Sequence, residues 1–135
     1  GDEIGMTGAA DPDNRRPMRF GAEVSEIEKQ MKMQVQQLIK IRRDHPALRY
    51  GDFLPLYVDK DTYVFMRSTI GERILVALNK ASASRTMKIQ LPPVYRISGA
   101  TDLLNSTQME IQNSRLRLEM SGNSWQTWLL TSGNK

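Results

Sequence analysis

The sequence predicts a mostly β fold: an antiparallel β-sandwich of about eight strands, Greek-key-like in its connections, preceded by one long amphipathic α-helix and an N-terminal loop. Apolar residues recur at steps of three and four only between Ser25 and Arg43, which is the helical period. From Leu54 onward the period changes to two, and short runs are separated by turn clusters such as Asp59-Lys60-Asp61 and Ser121-Gly122-Asn123.

The composition bounds the classes of protein to consider. A chain of 135 residues with 39% hydrophobic and 25% charged residues can bury a real core, and it contains no apolar stretch long enough to span a bilayer. The absence of cysteine excludes disulfides and thiolate metal sites and leaves both reducing and oxidising compartments open.

The basic balance does not indicate a nucleic-acid partner. The net charge is +4 and the pI about 9.6, but the basic residues are scattered among acidic and apolar ones. Arg115 and Arg117, for example, are followed by Glu119. A nucleic-acid surface would concentrate its cations in one stripe with exposed aromatic rings, so we expect no nucleic-acid binding.

The N-terminal stretch predicts a short strand end that runs into a polar loop. Three glycines stand among the first eight residues, and Asp11-Pro12-Asp13-Asn14 is followed by the pair Arg15-Arg16. Asp11 or Asp13 is placed to pair with Arg15 or Arg16. Such a loop either lines a ligand cleft or is simply a solvated terminus.

The helix begins at a capping box. Ser25 and Glu28 have the Ser-x-x-Glu spacing that closes the free amides of a first turn. An apolar stripe through Met31 and Val35 follows for about five turns, and the helix should end by Asp44-His45-Pro46 because proline disfavours helical geometry in the residue before it. We expect His45 to cap this helix end, and residues 47–53 to form a connector with a glycine turn.

The strands follow from residue 54 to the end of the chain. The clearest is 115–120, where apolar and charged residues alternate strictly, as on a strand with one buried and one solvated face. The other predicted strands are Thr62 to Arg67, Arg73 to Asn79, Thr86 to Leu91 and Trp125 to Leu130, with weaker candidates at Leu54 to Val58, Thr101 to Leu104 and Gln108 to Ile111.

Most catalytic constellations are excluded by counting. One histidine and no cysteine make a zinc site improbable, and no serine stands in a glycine-flanked elbow. Asp11 and Asp13 do not start a calcium loop, because Arg16 and Ala22 occupy the positions of its glycine and glutamate. We therefore predict no catalytic residue, no metal ligand and no cofactor in this chain.

Two stretches carry a family resemblance. Gly1 to Gly8, followed by Asp11 to Met18, resembles the end of the eighth barrel strand and its loop in the alpha-amylase family of glycoside hydrolases, most closely the neopullulanase, cyclomaltodextrinase and maltogenic-amylase branch. Leu38 to Phe53 is similar to the last barrel helix and its exit into the C-terminal domain of that family. The strands around Tyr63, Leu75 and Trp128 resemble that domain more loosely.

The resemblance implies a division and a function. Residues 1–50 would be the remnant of the last strand, loop and helix of a (β/α)8 barrel, and residues 51–135 the C-terminal β-sandwich. The family hydrolyses or transfers α-1,4 and α-1,6 glucosidic bonds in starch, pullulan, maltooligosaccharides or cyclodextrins with retention. Its nucleophile, acid/base and second aspartate would lie upstream of Gly1, so the chain alone should be inactive and should lack the catalytic barrel as its partner.

The same match makes loop residues candidates for substrate contact. Asp11 and Arg15, and with them Asp13 and Arg16, would border the donor-side sugar subsites of the parent enzyme. The alternative is that these aspartate–arginine pairs only stiffen the loop.

Two further interpretations stay open. The chain could be a non-catalytic glucan-binding module that uses exposed aromatic rings; Trp125 and Trp128 face opposite sides of a strand, so the inward one would be core and the outward one would cover the junction with the barrel. The other available rings are Tyr57, Tyr63 and Tyr95. The apolar face of the helix needs cover, either from the sandwich or from a second copy of the chain in a homo-oligomer.

Overall fold

The computed structural model describes residues 1–133 and divides the chain into two compact units, Gly1–Ile41 and Arg42–Lys135. The division lies inside the long helix, upstream of the boundary predicted after residue 50. The barrel origin of the first part stays a prediction. No helix within residues 1–133 is long and apolar enough to cross a membrane.

The first unit is built from short 3-10 turns and a helix. Asp2–Ile4 forms such a turn where the sequence predicts a strand end, and the Gly5 amide closes it by donating to the Asp2 carbonyl at 3.0 Å. Two more turns follow at Asp13–Arg15 and Gly21–Glu23. Within the described residues no strand pairs with this segment, and its turns are closed by hydrogen bonds between backbone groups three to five residues apart.

The predicted capping box begins α1, Glu26–Asp44. The Ser25 amide donates to Glu28 Oε2 at 2.8 Å, and the Glu28 amide donates to Ser25 Oγ at 3.4 Å. The Ser25 hydrogen bonds, with the nearby Arg19 guanidinium, hold the pKa of Glu28 below its usual value. The helix ends as predicted just before His45-Pro46, which confirms the proline argument.

The connector after α1 is a second helix, α2, Pro46–Tyr50, where the sequence predicts irregular structure. Proline fits a first helical turn because its missing N–H would have no partner there. Glu72 supplies the cap from the sandwich: its Oε2 accepts the Ala47 amide at 2.8 Å, and its Oε1 lies 2.6 Å from His45 Nδ1. The prediction that His45 caps the preceding helix is therefore wrong.

The eight strands predicted from the period-two pattern are all present. They are β1 Asp52–Val58, β2 Thr62–Ser68, β3 Arg73–Asn79, β4 Arg85–Gln90, β5 Ile97–Asp102, β6 Gln108–Glu110, β7 Arg115–Met120 and β8 Ser124–Ser132. β5 begins earlier than predicted, and it ends at Asp102 because that carboxylate accepts the Leu104 and Asn105 amides and turns the chain.

The strands form two antiparallel sheets, which confirms the predicted sandwich. One sheet has six strands in the order β1-β2-β3-β8-β5-β6, and the other pairs β4 with β7. β1 is an edge strand, which explains how it accommodates Pro55 beside a register shift. The crossover that brings β8 between β3 and β5 gives the Greek-key-like connectivity.

The core lies between the facing sheets. β7 buries Leu116, Leu118 and Met120 and exposes Arg115, Arg117 and Glu119, as its alternation predicts. The buried cluster otherwise consists of Val64, Met66, Leu75, Ala77, Met87, Ile89, Leu91, Ile97, Ala100, Ile111, Trp128 and Leu130. This core fixes the sandwich as a rigid support for its surface loops and for α2.

Candidate functional site

The loop residues singled out by sequence form two ion pairs. Arg15 Nε lies 2.7 Å from Asp11 Oδ1, and Arg16 Nη2 lies 2.6 Å from Asp13 Oδ1. The predicted pairing of these aspartates with these arginines is thus present, at spacings of four and three residues along the chain. Each guanidinium already has a carboxylate partner.

Asp13 is the better anchored of the two acids. Its Oδ2 accepts the Ala9 amide at 2.7 Å, so it closes the loop across residues 9–13. That amide and the Arg16 side chain hold the pKa of Asp13 below its usual value. The Asp13 carboxylate therefore accepts hydrogen bonds within the loop and is poorly suited to donating a proton.

A cleft of about 310 Å³ opens beside these pairs within the first unit. Of the four candidates, Arg16 lines it, while the Arg15 side chain, 77% exposed, points to the loop's surface pair with Asp11. The remaining lining residues are Gly1, Asp2, Met6, Thr7, Gly8, Asn14 and Met18. The four candidates are joined in two ion pairs, but only Arg16 lies in the wall of the cleft.

Glu3 and Glu72, two acids outside this loop, have structural partners. Glu3 pairs with the N-terminal ammonium group at 3.1 Å, and Glu72 is occupied by His45 and Ala47. Within residues 1–133 no three His, Cys, Asp or Glu side chains gather closely enough to hold a metal ion.

Asp59 is the most strongly perturbed carboxylate of the sandwich. It accepts the Asp61 and Thr62 amides at 2.8 and 2.7 Å and the Tyr57 hydroxyl at 2.9 Å. Arg85 Nη1 adds an ion pair at 2.6 Å. These contacts, led by the Asp61 amide, lower the pKa of Asp59 to about 2. They lock the β1–β2 turn.

Most of the aromatic residues considered for sugar binding are buried or packed against other side chains. Trp128 is buried and Trp125 half-buried, so the two tryptophans do face opposite sides of β8. The Tyr63 ring packs 5.4 Å from Phe65, and the Tyr95 ring lies under Arg73 at 4.4 Å from the ring centroid to the guanidinium carbon.

Sequence reasoning missed the most exposed tyrosine. Tyr50, at the end of α2, is 77% exposed and lines a second cleft of about 700 Å³ on the sandwich. The sequence did not predict its position because α2, with five residues, is too short to show a helical period. We call this feature the Tyr50 cleft; its lining residues are Tyr50, Asp52, Ser68, Thr69, Ile70, Gly71, Arg73 and Tyr95.

Comparison with known sequences identifies relatives of one kind. The chain is 34% identical to a cyclomaltodextrinase of Thermoanaerobacter pseudethanolicus over 122 residues, which are 88% of the chain and 20% of that protein. It is 31% identical to neopullulanase 2 of Thermoactinomyces vulgaris over 135 residues, which cover 98% of the chain and 22% of that enzyme. The chain thus spans about a fifth of the length of these curated relatives. No protein-family model matches it.

Solved structures agree with the sequence relatives. The alpha-amylase of Geobacillus thermoleovorans, solved with acarbose, superposes with a TM-score of 0.84 at 25% identity. The superposition covers 99% of this chain and 29% of that enzyme. Sequence and fold therefore converge over nearly the whole chain, and the chain belongs to the alpha-amylase family of glycoside hydrolases.

Proposed function

We propose that this chain is the C-terminal, non-catalytic part of a retaining α-glycoside hydrolase that acts on α-1,4- and α-1,6-linked glucans. One observation carries the proposal: nearly the entire chain aligns with about a fifth of a cyclomaltodextrinase and of a neopullulanase. The remaining four fifths of such enzymes would contain the barrel and its three catalytic acids. The glucan substrate and the missing barrel are accordingly the partners of the parent protein.

The arrangement of acids supports a non-catalytic role. Retaining glycosidases place two carboxyl groups about 5 Å apart across the scissile bond, one of them protonated. Asp13 and Asp59 have lowered pKa values and accept amide hydrogen bonds, which suits structural anchors. Glu72 accepts an amide in the same way.

A domain exchange tests this proposal. The segment of the Thermoanaerobacter cyclomaltodextrinase that matches this chain is replaced by this chain, and hydrolysis of a cyclodextrin is measured. We expect the chimera to fold and to retain activity, whereas a deletion of the same segment should abolish it. A chimera that folds, as judged by circular dichroism, yet has no activity would contradict the proposal.

We further infer that the opening loop borders the sugar subsites of the parent enzyme. Its support is the cluster of Asp11, Asp13, Arg15 and Arg16 beside a cleft that Arg16 lines. The competing role for the same residues is to stiffen the loop through their ion pairs. The two roles differ in their kinetic consequences.

Arg16→Gln in the chimera separates the two roles. If Arg16 contacts sugar, KM should rise several-fold with an unchanged melting temperature, because exposed pairs contribute little to stability. Arg115→Gln, an exposed arginine on β7, is the matched control and should change neither quantity. An unchanged KM for Arg16→Gln would contradict the sugar contact and show that Arg16 only stiffens the loop.

A further inference from the structure

We propose that α2 is a locked hinge between the last turn of α1 and β1, and that Glu72 is the positioning residue that keeps it locked. The inference does not depend on the proposed function. It rests on three charged side chains outside α2 that hold its two ends; we call them the α2 clamp, and they are Arg42, Arg67 and Glu72. All three belong to the second unit, Arg42–Lys135.

α2 is too short to be stable by itself. Its five residues, Pro46–Tyr50, form little more than one helical turn. The first turn of a helix is unfavourable because it orders several residues for a single hydrogen bond. A few residues between two longer elements are also a usual place for a hinge. The helical state of α2 therefore depends on contacts with the sandwich around it.

Glu72 holds the first end of α2. One carboxylate oxygen accepts the Ala47 amide at 2.8 Å, and the other lies 2.6 Å from His45 Nδ1. The negative charge also suits the N-terminal end of a helix, where amides lack partners. The His45 and Glu72 side chains are only 19% and 18% exposed, so water competes poorly for these contacts.

The β2–β3 turn presents Glu72 in a fixed position. The Thr69 amide donates to the Glu72 carbonyl at 2.8 Å, and the Glu72 amide donates to Thr69 Oγ1 at 3.2 Å. The next residue, Arg73, begins β3, which lies inside the six-stranded sheet. The carboxylate is therefore anchored to the rigid part of the sandwich.

Two arginines hold the other end of α2. Arg42, in the last turn of α1, donates to the Leu48 carbonyl. Arg67 of β2 donates to the Gly51 carbonyl through Nε at 3.1 Å and Nη2 at 2.8 Å. Cations suit the C-terminal end of a helix, where carbonyls lack partners. The clamp thus closes on both ends, and loss of the Glu72 carboxylate should release α2 while the sandwich stays folded.

The test is nitrogen-15 relaxation of the isotopically labelled chain, measured by NMR. In Glu72→Ala we expect the backbone order parameters of residues 47–51 to fall from about 0.85, typical of a rigid backbone, to below about 0.6. Their Cα shifts should move towards those of an unfolded chain. The order parameters of β7, which lies in the core, should not change. Arg67→Gln, which acts at the other end of α2, should loosen the same residues.

Two further variants serve as rescue and control. Glu72→Gln should restore part of the order, because its side-chain oxygen can still accept the Ala47 amide. Glu110→Ala removes an exposed glutamate of β6 and should leave α2 unchanged. Unchanged order of residues 47–51 in Glu72→Ala would overturn the proposal. Equal loss of order in α2 and β7, or unfolding of the whole chain, would overturn it as well, since Glu72 would then support the entire sandwich.

Discussion

Asp59 shows how a single side chain fixes a turn and what this implies for pH. Its pKa falls from 3.8 to about 2 on folding because two amides, a tyrosine hydroxyl and Arg85 favour the charged form. A carboxylate with a depressed pKa contributes stability above its unfolded value and loses that contribution as the pH falls through the folded value. The relevant window therefore runs from about pH 4 down to about pH 2.

We predict that Asp59→Asn lowers the melting temperature at neutral pH and that the difference from the unmodified chain narrows as the pH falls through this window. Thermal unfolding of the variant and of the unmodified chain between pH 2 and 6 gives the two melting temperatures at each pH. A difference that is constant across the range would show that the charge of Asp59 is not the stabilising feature. Asp52→Asn, an exposed carboxylate of β1, is the matched control.

The core offers a second prediction at the scale of one residue. Leu118 is 0% exposed between the sheets, so Leu118→Ala should lower the free energy of unfolding by about 2 to 5 kcal/mol. Leu78→Ala, whose side chain is 43% exposed on β3, should cost much less. Urea unfolding of both variants compares them; equal costs would mean that the facing sheets do not enclose the main core.

At the scale of elements, close packing of turns makes one glycine essential. A Cβ atom added to Gly122, in the turn before β8, would lie 1.9 Å from the Ser82 carbonyl oxygen in the turn before β4. Backbone atoms cannot yield as a flexible side chain would, so the two turns would have to move apart.

We predict that Gly122→Ala lowers the free energy of unfolding by roughly 1 to 3 kcal/mol. The control is Gly71→Ala in the β2–β3 turn, where an added Cβ meets no atom within 4 Å, and its effect should be near zero or slightly stabilising. Denaturant titration separates the two. A neutral Gly122→Ala would contradict the close approach of the two turns.

The apolar side of α1 leads to a prediction about association. No residue of this helix is fully buried, and Ile27, Met31 and Ile39 are exposed. Contiguous exposed apolar surface promotes contacts between copies. We expect the purified chain to self-associate as its concentration rises and Ile39→Glu to reduce that association. Gln37→Glu, which adds the same single negative charge at an exposed polar position of the helix, is the control. Light scattering that shows a strict monomer at all concentrations would contradict this expectation.

For the molecule as a whole, local sequence patterns predicted the helices and strands better than they predicted the contacts between them. Eight strands, the Ser25–Glu28 cap and the helix end before Pro46 follow from period, spacing and proline geometry, all of which act within a few residues. α2 escaped prediction because its capping partner, Glu72, lies on a distant turn. The pairing of β3 with β8 and of β4 with β7 is likewise set by non-local contacts.

The candidate site was predictable in its residues and less so in its geometry. The pairing of Asp11 and Asp13 with Arg15 and Arg16 follows from sequence proximity. Which of them lines a cleft depends on how the 3-10 turns fold, and this has no sequence period. The exposure of Tyr50 depends on α2 and on the β2–β3 turn together, so it could be read only from the structure.

We predict that this chain has no hydrolytic activity of its own, and an assay of the purified chain measures this. The chain is incubated with maltoheptaose and with pullulan, and the release of reducing ends is measured beside the Thermoanaerobacter cyclomaltodextrinase as positive control. We predict no release above that of buffer alone. Reproducible turnover that co-purifies with the folded chain would show that the chain carries its own hydrolytic residues, contrary to the proposed non-catalytic role.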